Sequence, residues 1–572
     1  MCDKLVFDLS QEVEGSPNVF IRKDWLNILD NMNGNYQSNQ SVIDTSQLSN
    51  SNKWMNYREA YLAVPLLLTL ASSTALAATK TTNINDYAIG LKNWFGSVIH
   101  SFTLDYNGTT IIQQTPFINM WNMFKLLTTL SYNDIITQGS VIGFYPDDAT
   151  SFGYSTAASA YGVGVYNNIM ITNANLTTQF TTNIYSAGNN GLTLRTKNIA
   201  FEVGAVYSPF MTTETASQSW TSNIVRGAYA KTFIATEYPV QQISVMAIIY
   251  LKHITSFFDF SPLLKGAFMK MTMNLNNGTA SVVSDAADIT VFNSYTTNVY
   301  SGGIFPLVVP SIGSGSSWMT QASAVYTAAP TFYYNLSVGD VCLDSTVKGI
   351  TGVSTGNISK NIYLYVPAYT FNPSFEKAYL DSSPKSIKYT DVYQYQVLDI
   401  AAGSSFNNLI TNGIANIKSV LIIPFLSKIV SIGGTAAAVG NQWQSPFDTA
   451  GCGTTAPLVF LNNFNVQISG QNAIYNTQRY NYEEFVNQLY GQNAVNGGLT
   501  DGLTSGLIDY LSFQKSQCFY YVNVERMLPV ERSVPKSVQI LGTNTSVQNL
   551  NFWVFVEYES EIKIDLWTGA RV

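Results

Sequence analysis

At 572 residues, 46% apolar and 13% aromatic, the chain is long enough for several domains and large cores. Only 11% of it is charged, against ~25% in ordinary soluble proteins; Tyr, Asn, Ser, Thr and Gly fill the difference, as in proteins of strands and turns whose surface largely meets other protein. A net charge of −7 without Lys/Arg clusters argues against a nucleic-acid face, and four scattered cysteines, Cys2, Cys342, Cys452 and Cys518, make neither a disulfide framework nor a zinc site.

In chain order, residues 1–18 read as a polar arm. Met1 to Glu14 carries Asp3, Lys4, Asp8, Glu12 and Glu14, which is no start for a signal peptide. With the unpaired cysteines this fits synthesis in a reducing compartment. A first strand runs from Val19 to Trp25, and a connection rich in Asn and Ser leads to a second apolar segment at Tyr61–Leu70. The uncharged stretch Ala60–Thr79 has the length of a membrane span. Pro65, Thr69, Ser72, Ser73 and Thr74 interrupt it, so it reads as buried strand plus loop, with no membrane span.

One block then occurs twice. FTLDYNGTTIIQQTPFINMWNMFKLL, from Phe102, matches FNVQISGQNAIYNTQRYNYEEFVNQL, from Phe464, without gaps at a shift of 362. Phe102, Leu104 and Tyr106 lie on Phe464, Val466 and Ile468, alternating with polar residues as in a half-buried strand. Gly108 and Gly470 mark a tight turn. Ile118, Trp121, Met123, Phe124 and Leu127 have helical spacing, as do Tyr482, Phe485, Val486 and Leu489. A second match, Tyr61-Leu-Ala-Val-Pro65 on Val420-Leu-Ile-Ile-Pro424, supports two homologous domains in one chain.

After the block the halves diverge. Aligning Pro262 with Pro535 leaves an insertion of about 89 residues in the first half. Residues 149–194 and 289–339 carry no charge yet keep their aromatics, and read as structured excursions within 132–240 and 278–355. Ile362–Pro367 closes the first half, Asp381-Ser-Ser-Pro384 punctuates the join, and Ile387–Asp391 opens the second. The expected domains are 19–380 and 381–572. At the end, Phe552, Val554, Val556, Tyr558, Ile562 and Ile564 alternate with Glu557, Glu559, Glu561, Lys563 and Asp565, a strand with one face buried and one wet. The fold class expected is all-β: two jelly-roll sandwiches in tandem, each with a short helix, the first with long insertions.

No constellation carries chemistry. His100 and His253 are far apart in apolar stretches and read as core residues rather than catalytic or metal-ligating ones. Asp147-Asp148 and Glu483-Glu484 are neighbours, whereas a glycosidase needs carboxylates facing across a bond. Glu483 and Glu484 sit where the first copy has Trp121 and Asn122, which reads as solvated helix face. The glycines of Phe152–Gly164 and Gly313–Ser317 lack the Lys-Ser/Thr of a phosphate loop. Asn107-Gly-Thr and Asn335-Leu-Ser are chance sequons in such a composition. No catalytic, cofactor-binding or metal-binding residues are assigned.

The duplication, the uncharged excursions, the segment from Ile21 to Leu68 (IRKDWLNILDNMNGNYQSNQSVIDTSQLSNSNKWMNYREAYLAVPLLL) and the terminal FWVFVEYESEIKIDL are similar to a known family. They resemble the double jelly-roll major capsid proteins of icosahedral double-stranded DNA viruses, and among these the proteins of polinton-like viruses and virophages. The resemblance implies a non-enzymatic protein of the virion capsid, forming homotrimers of pseudo-hexameric outline. It implies excursions that build outer towers, an N-terminal arm on the inner side, and penton and minor capsid proteins as partners, with no specific nucleic-acid recognition. A two-domain β-sandwich adhesin or lectin that binds glycans is the alternative, and a glycosidase stands third.

Overall fold

The computed structural model describes residues 18–72, 88–146, 196–198, 229–234, 239–284, 292–299, 303–308, 331–340, 360–427, 430–431, 438–439, 459–474, 480–493, 506–515, 517–524, 531 and 533–572. The first half contributes β1 (Phe20–Leu29), β2 (Gln40–Asp44), β3 (Tyr61–Ser72), β4 (Ile99–Tyr106), β5 (Thr109–Ile112), helices α1 (Ile118–Thr129) and α2 (Tyr132–Ile142), β6 (Pro239–Tyr250), β7 (Met269–Leu275) and β8 (Tyr363–Phe371). Helix α3 (Pro373–Leu380) follows. The second half contributes β9 (Lys385–Ile400), β10 (Ser405–Ile414), β11 (Ile417–Leu426), β12 (Leu461–Ile468), β13 (Gln471–Asn472), helices α4 (Tyr482–Asn493) and α5 (Tyr510–Lys515), β14 (Tyr520–Asn523), β15 (Lys536–Asn544) and β16 (Leu550–Ile564).

The strand orders repeat. In the first half β1-β8-β3-β6 faces β2-β7-β4-β5, and in the second β9-β16-β11-β14 faces β10-β15-β12-β13, all antiparallel. Adding eight to each label of the first pair yields the second. Each half is a jelly roll. The 362-residue repeat falls on one place in both: β4 and β12, Ile99–Tyr106 and Leu461–Ile468, are the same eight positions. Asn107 (φ 47°) and Gly108 (φ 81°) match Ser469 (φ 50°) and Gly470 (φ 82°). Two consecutive positive φ values make the hairpin turn that suits the twist of the flanking strands, and Gly takes the second without steric cost.

Alternation explains the cores. Phe102, Leu104 and Tyr106 stand opposite Met273, Met271 and Met269, and Val466 and Ile468 opposite Ile540 and Val538. All are buried. Strand β3 carries β6 along one edge, with β8 at Tyr61–Ala63 and the excursion strand Thr331–Val338 at Leu66–Ser72 on the other. Strands Gly278–Ser284 and Phe292–Val299 extend the sheet from there. Most of 132–240 and part of 278–355 lie outside the described residues, as do residues 1–17 and 73–79. Tyr61–Ser72, the core of the candidate span, is a strand within this sheet. Among the described residues no helix is long and apolar enough to cross a membrane.

Three sequence expectations change. The match of Pro65 to Pro424 joins equivalent strands but slips by one residue. Pro424 stands opposite Phe552, whose ring meets Phe406 of the facing sheet. Pro65 shares the outward side of β3 with Tyr61, which stacks on Tyr365. A slip of one exchanges the two faces of a strand. The match of Pro262 to Pro535 is also out of register: Met269 and Val538 stand opposite the equivalent Tyr106 and Ile468, which carries Pro262 onto Glu531. Lastly, Glu557 is not on a wet face; it is 1% exposed.

Candidate assembly surface

The outward face of the second jelly roll explains Glu557. Along β16, Phe552, Val554 and Val556 point inward, so Trp553, Phe555 and Glu557 point out. Helix α1 of the first jelly roll covers them. The Phe117 ring meets Trp553 at 5.7 Å, Trp121 meets Phe555 at 6.3 Å, and Phe124 meets Phe519 at 5.4 Å and Tyr521 at 5.5 Å. Lys125 Nζ lies 3.2 Å from Glu557 Oε1, and Ser419 Oγ donates to Oε2 at 2.8 Å. A buried carboxylate demands such partners. Helix α1 is therefore apolar nearly all round: one side packs on its own sandwich, the other on the next.

Hydrogen bonds fix the relative placement of the halves. Tyr389 Oη donates to Ile111 O at 2.9 Å, Thr115 Oγ1 donates to Val392 O at 2.6 Å, and Gln113 N donates to Asp391 Oδ2 at 3.1 Å. Burial raises the Asp391 carboxyl above its ordinary range despite the donors Gln113 N, Val392 N and Tyr558 Oη. At the end of α1, Leu127 O accepts from Leu507 N at 2.8 Å. The chain's last residues return to the first jelly roll, where Gly569 O accepts from Tyr106 Oη at 2.8 Å and Asn107 Nδ2 at 2.9 Å. Helix α3 is held by Glu376, which accepts from Trp54 Nε1 at 2.9 Å and pairs with Lys265 at 3.2 Å.

The corresponding outward face of the first jelly roll has no such cover among the described residues. Trp25 is 51% exposed and Leu29 47% on β1. Their outward row stands opposite Tyr363, Tyr365, Pro367 and Tyr369 of β8. The rings form a connected sheet: Tyr61 stacks on Tyr365 at 5.1 Å and meets Trp25 at 5.8 Å and Tyr250 at 5.9 Å. Lys23 Nζ lies 5.5 Å from the Trp25 ring and 5.1 Å from that of Tyr369, and pairs with Glu59 at 2.8 Å. That hydrogen bond raises the lysine pKa. An exposed Trp and Leu beside half-buried tyrosines in contact with one another, rimmed by charge, mark an interaction surface.

No protein-family model matches the chain, and no curated protein matches it. Several similar solved structures are viral. A chain of the Sputnik virophage is 11% identical with a TM-score of 0.48, covering 98% of this chain and 90% of its own. The mavirus major capsid protein is 8% identical at 0.44, covering 99% and 92%. The Faustovirus major capsid protein is 9% identical at 0.44, covering 97% and 93%.

The residues weighed for chemistry are dispersed. His100 on β4 is buried edge-to-face against Phe117 at 4.8 Å, and burial pushes its pKa down to about 4. His253 lies in the turn Leu251–Ile254 against Trp94 and Tyr250; burial and then Lys252 push it down to about 3. Glu483 is exposed in the first turn of α4. Glu484 accepts from Gln488 Nε2 at 2.6 Å, and its backbone N–H donates to Asn481 Oδ1, which caps the helix. Cys518 is buried without a disulfide, its thiol pushed up to about 11 by burial. Asn335 is fully buried and donates to Thr279 Oγ1, so that sequon faces no solvent. Asp147, Asp148, Cys2, Cys342, Cys452 and both glycine clusters lie outside the described residues. Among the described residues no three His, Cys, Asp or Glu gather as a metal site would need. Sequence reasoning missed the aromatic face, because its rings come from four strands distant in the chain.

Proposed function

We propose that this chain is a structural shell protein, a major capsid protein of the double jelly-roll kind. It forms homotrimers that tile an icosahedral shell around double-stranded DNA. The observation that supports this best is the doubled jelly roll, 19–380 and 381–572, joined side by side through α1 on the second sheet. A chain with two like bodies gives a trimer six like sides, so it packs as a hexamer does. Large apolar contact surface with few charges, 11% of the chain, suits permanent assembly.

In this reading the excursions 132–240 and 278–355 build the outer towers, and residues 1–18 form an inner arm. Pentameric vertex proteins and minor capsid proteins are the further partners, and the virion is the location. The role is structural and non-enzymatic. A glycan-binding module has no observation in its favour among the described residues. Light scattering on the purified full chain tests the reading: it predicts a stable species of three chain masses, and electron microscopy shows particles of hexagonal outline. A monomer at high concentration overturns it.

A further inference from the structure

We infer that α4 of one copy seats on the bare aromatic face of the first jelly roll of the next copy, repeating between chains the contact that α1 makes within one. The inference rests on the trimer reading and names the surfaces that meet. The repeat supplies the template. Met123 and Leu127 of α1 lie on Phe485 and Leu489 of α4, and all four are buried in their own halves. Trp121, Phe124 and Lys125, which reach the neighbouring sandwich, lie on Glu483, Val486 and Asn487. Those three form the outward side of α4, with Glu483 and Asn487 exposed and Val486 half-buried. Among the described residues nothing covers the helix side that would make the second contact, nor the sheet face that would receive it.

The two open surfaces also match in chemistry. In the contact within the chain, an apolar helix side with one cation, Lys125, meets Trp553, Phe555 and one anion, Glu557. Between chains the helix offers Glu483 and Asn487 at the positions of Trp121 and Lys125, and the sheet offers Tyr363 and Tyr365 at those of Phe555 and Glu557. The polar Glu483 and Asn487 suit a receiving face of tyrosines, whose hydroxyls bond to them, better than they would suit Trp553 and Phe555. Unlike surfaces joined head to tail close into a ring when the rotation permits; closure here comes at three chains.

Crosslinking of the full chain tests this. Asn27 is exposed on β1 beside Tyr365, and Asn487 sits where Lys125 sits in α1. Asn27→Cys combined with Asn487→Cys, treated with a short bismaleimide, gives covalent species ending at three chains, above the background of either single variant. Trp25→Asp and Tyr365→Asp each lower the trimer fraction at least tenfold in light scattering, with circular dichroism and melting temperature of the monomer unchanged. A trimer that persists through these substitutions, with no crosslink beyond background, overturns the inference and leaves the capsid reading standing. A wild-type monomer overturns both, and crosslinked ladders continuing past three chains overturn ring closure.

Discussion

Phe124 is the sharpest probe of how the two jelly rolls are joined. Its side chain is 1% exposed and touches Phe519 and Tyr521 of the second half, Phe485 of α4 and Trp121 of its own helix. Truncation to Ala removes a ring from a site with packed neighbours on every side. Such changes cost about 3–5 kcal/mol, the lost transfer energy plus the cavity left behind. Domains of this kind have only about 5–15 kcal/mol in hand, so the loss is a large fraction. It also falls on the coupling between halves rather than on either core. Phe124→Ala should therefore lower the first calorimetric transition by several degrees and split the endotherm into two, whereas Phe124→Leu does so partially. Phe260→Ala, at a site 62% exposed, serves as the control and should change little. Val486→Ala, at the position of Phe124 in the second copy and only half-buried, should cost the isolated monomer much less than Phe124→Ala. If Phe124→Ala unfolds in one transition within a degree of wild type, the helix does not hold the halves together and the account of the interface is wrong.

Other expectations follow from single groups. His100 is held neutral in the fold with a pKa of about 4, below its ordinary 6.5. The unfolded chain thus binds the extra proton first, and about 3 kcal/mol of stability is lost as pH falls from 6.5 toward 4. In His100→Gln, urea unfolding between these pH values should show a slope smaller by up to one proton; an unchanged slope refutes the assignment. Glu557→Gln leaves Lys125 facing a neutral amide beneath α1 and should cost ~1–3 kcal/mol in urea unfolding. The double variant with Lys125→Met should recover part of that loss, because a removed pair is cheaper than a broken one. Gly506 has φ +70°, and a Cβ there would overlap Leu127 O. Gly506→Ala should destabilise by more than the ~1–2 kcal/mol of a left-handed Ala alone and loosen the end of α1, read as faster amide exchange at Leu507.

Periodicity and the internal repeat were legible in the chain alone: the strand at Phe102 and its twin at Phe464, the positive-φ turn at Gly108 and Gly470, the two equivalent helices, and the long terminal strand. These are local properties, set by alternation and by backbone sterics over a few residues. Strand order was not legible, because antiparallel pairing joins β1 to β8 and β9 to β16 across most of each half, and no local signal states which partner a strand takes. Register also needed the facing sheet, as the one-residue slip at Pro65 shows.

The aromatic face divides the two kinds of knowledge most clearly. Trp553, Phe555 and Glu557 alternate with core residues, so the sequence assigns them to the side away from the sandwich core and says no more. What covers that side is a helix more than 400 residues earlier, and only the folded chain brings Lys125 to Glu557. Alternation determines which residues share a face; burial of that face depends on whatever body lies against it, which is a property of the assembled tertiary structure.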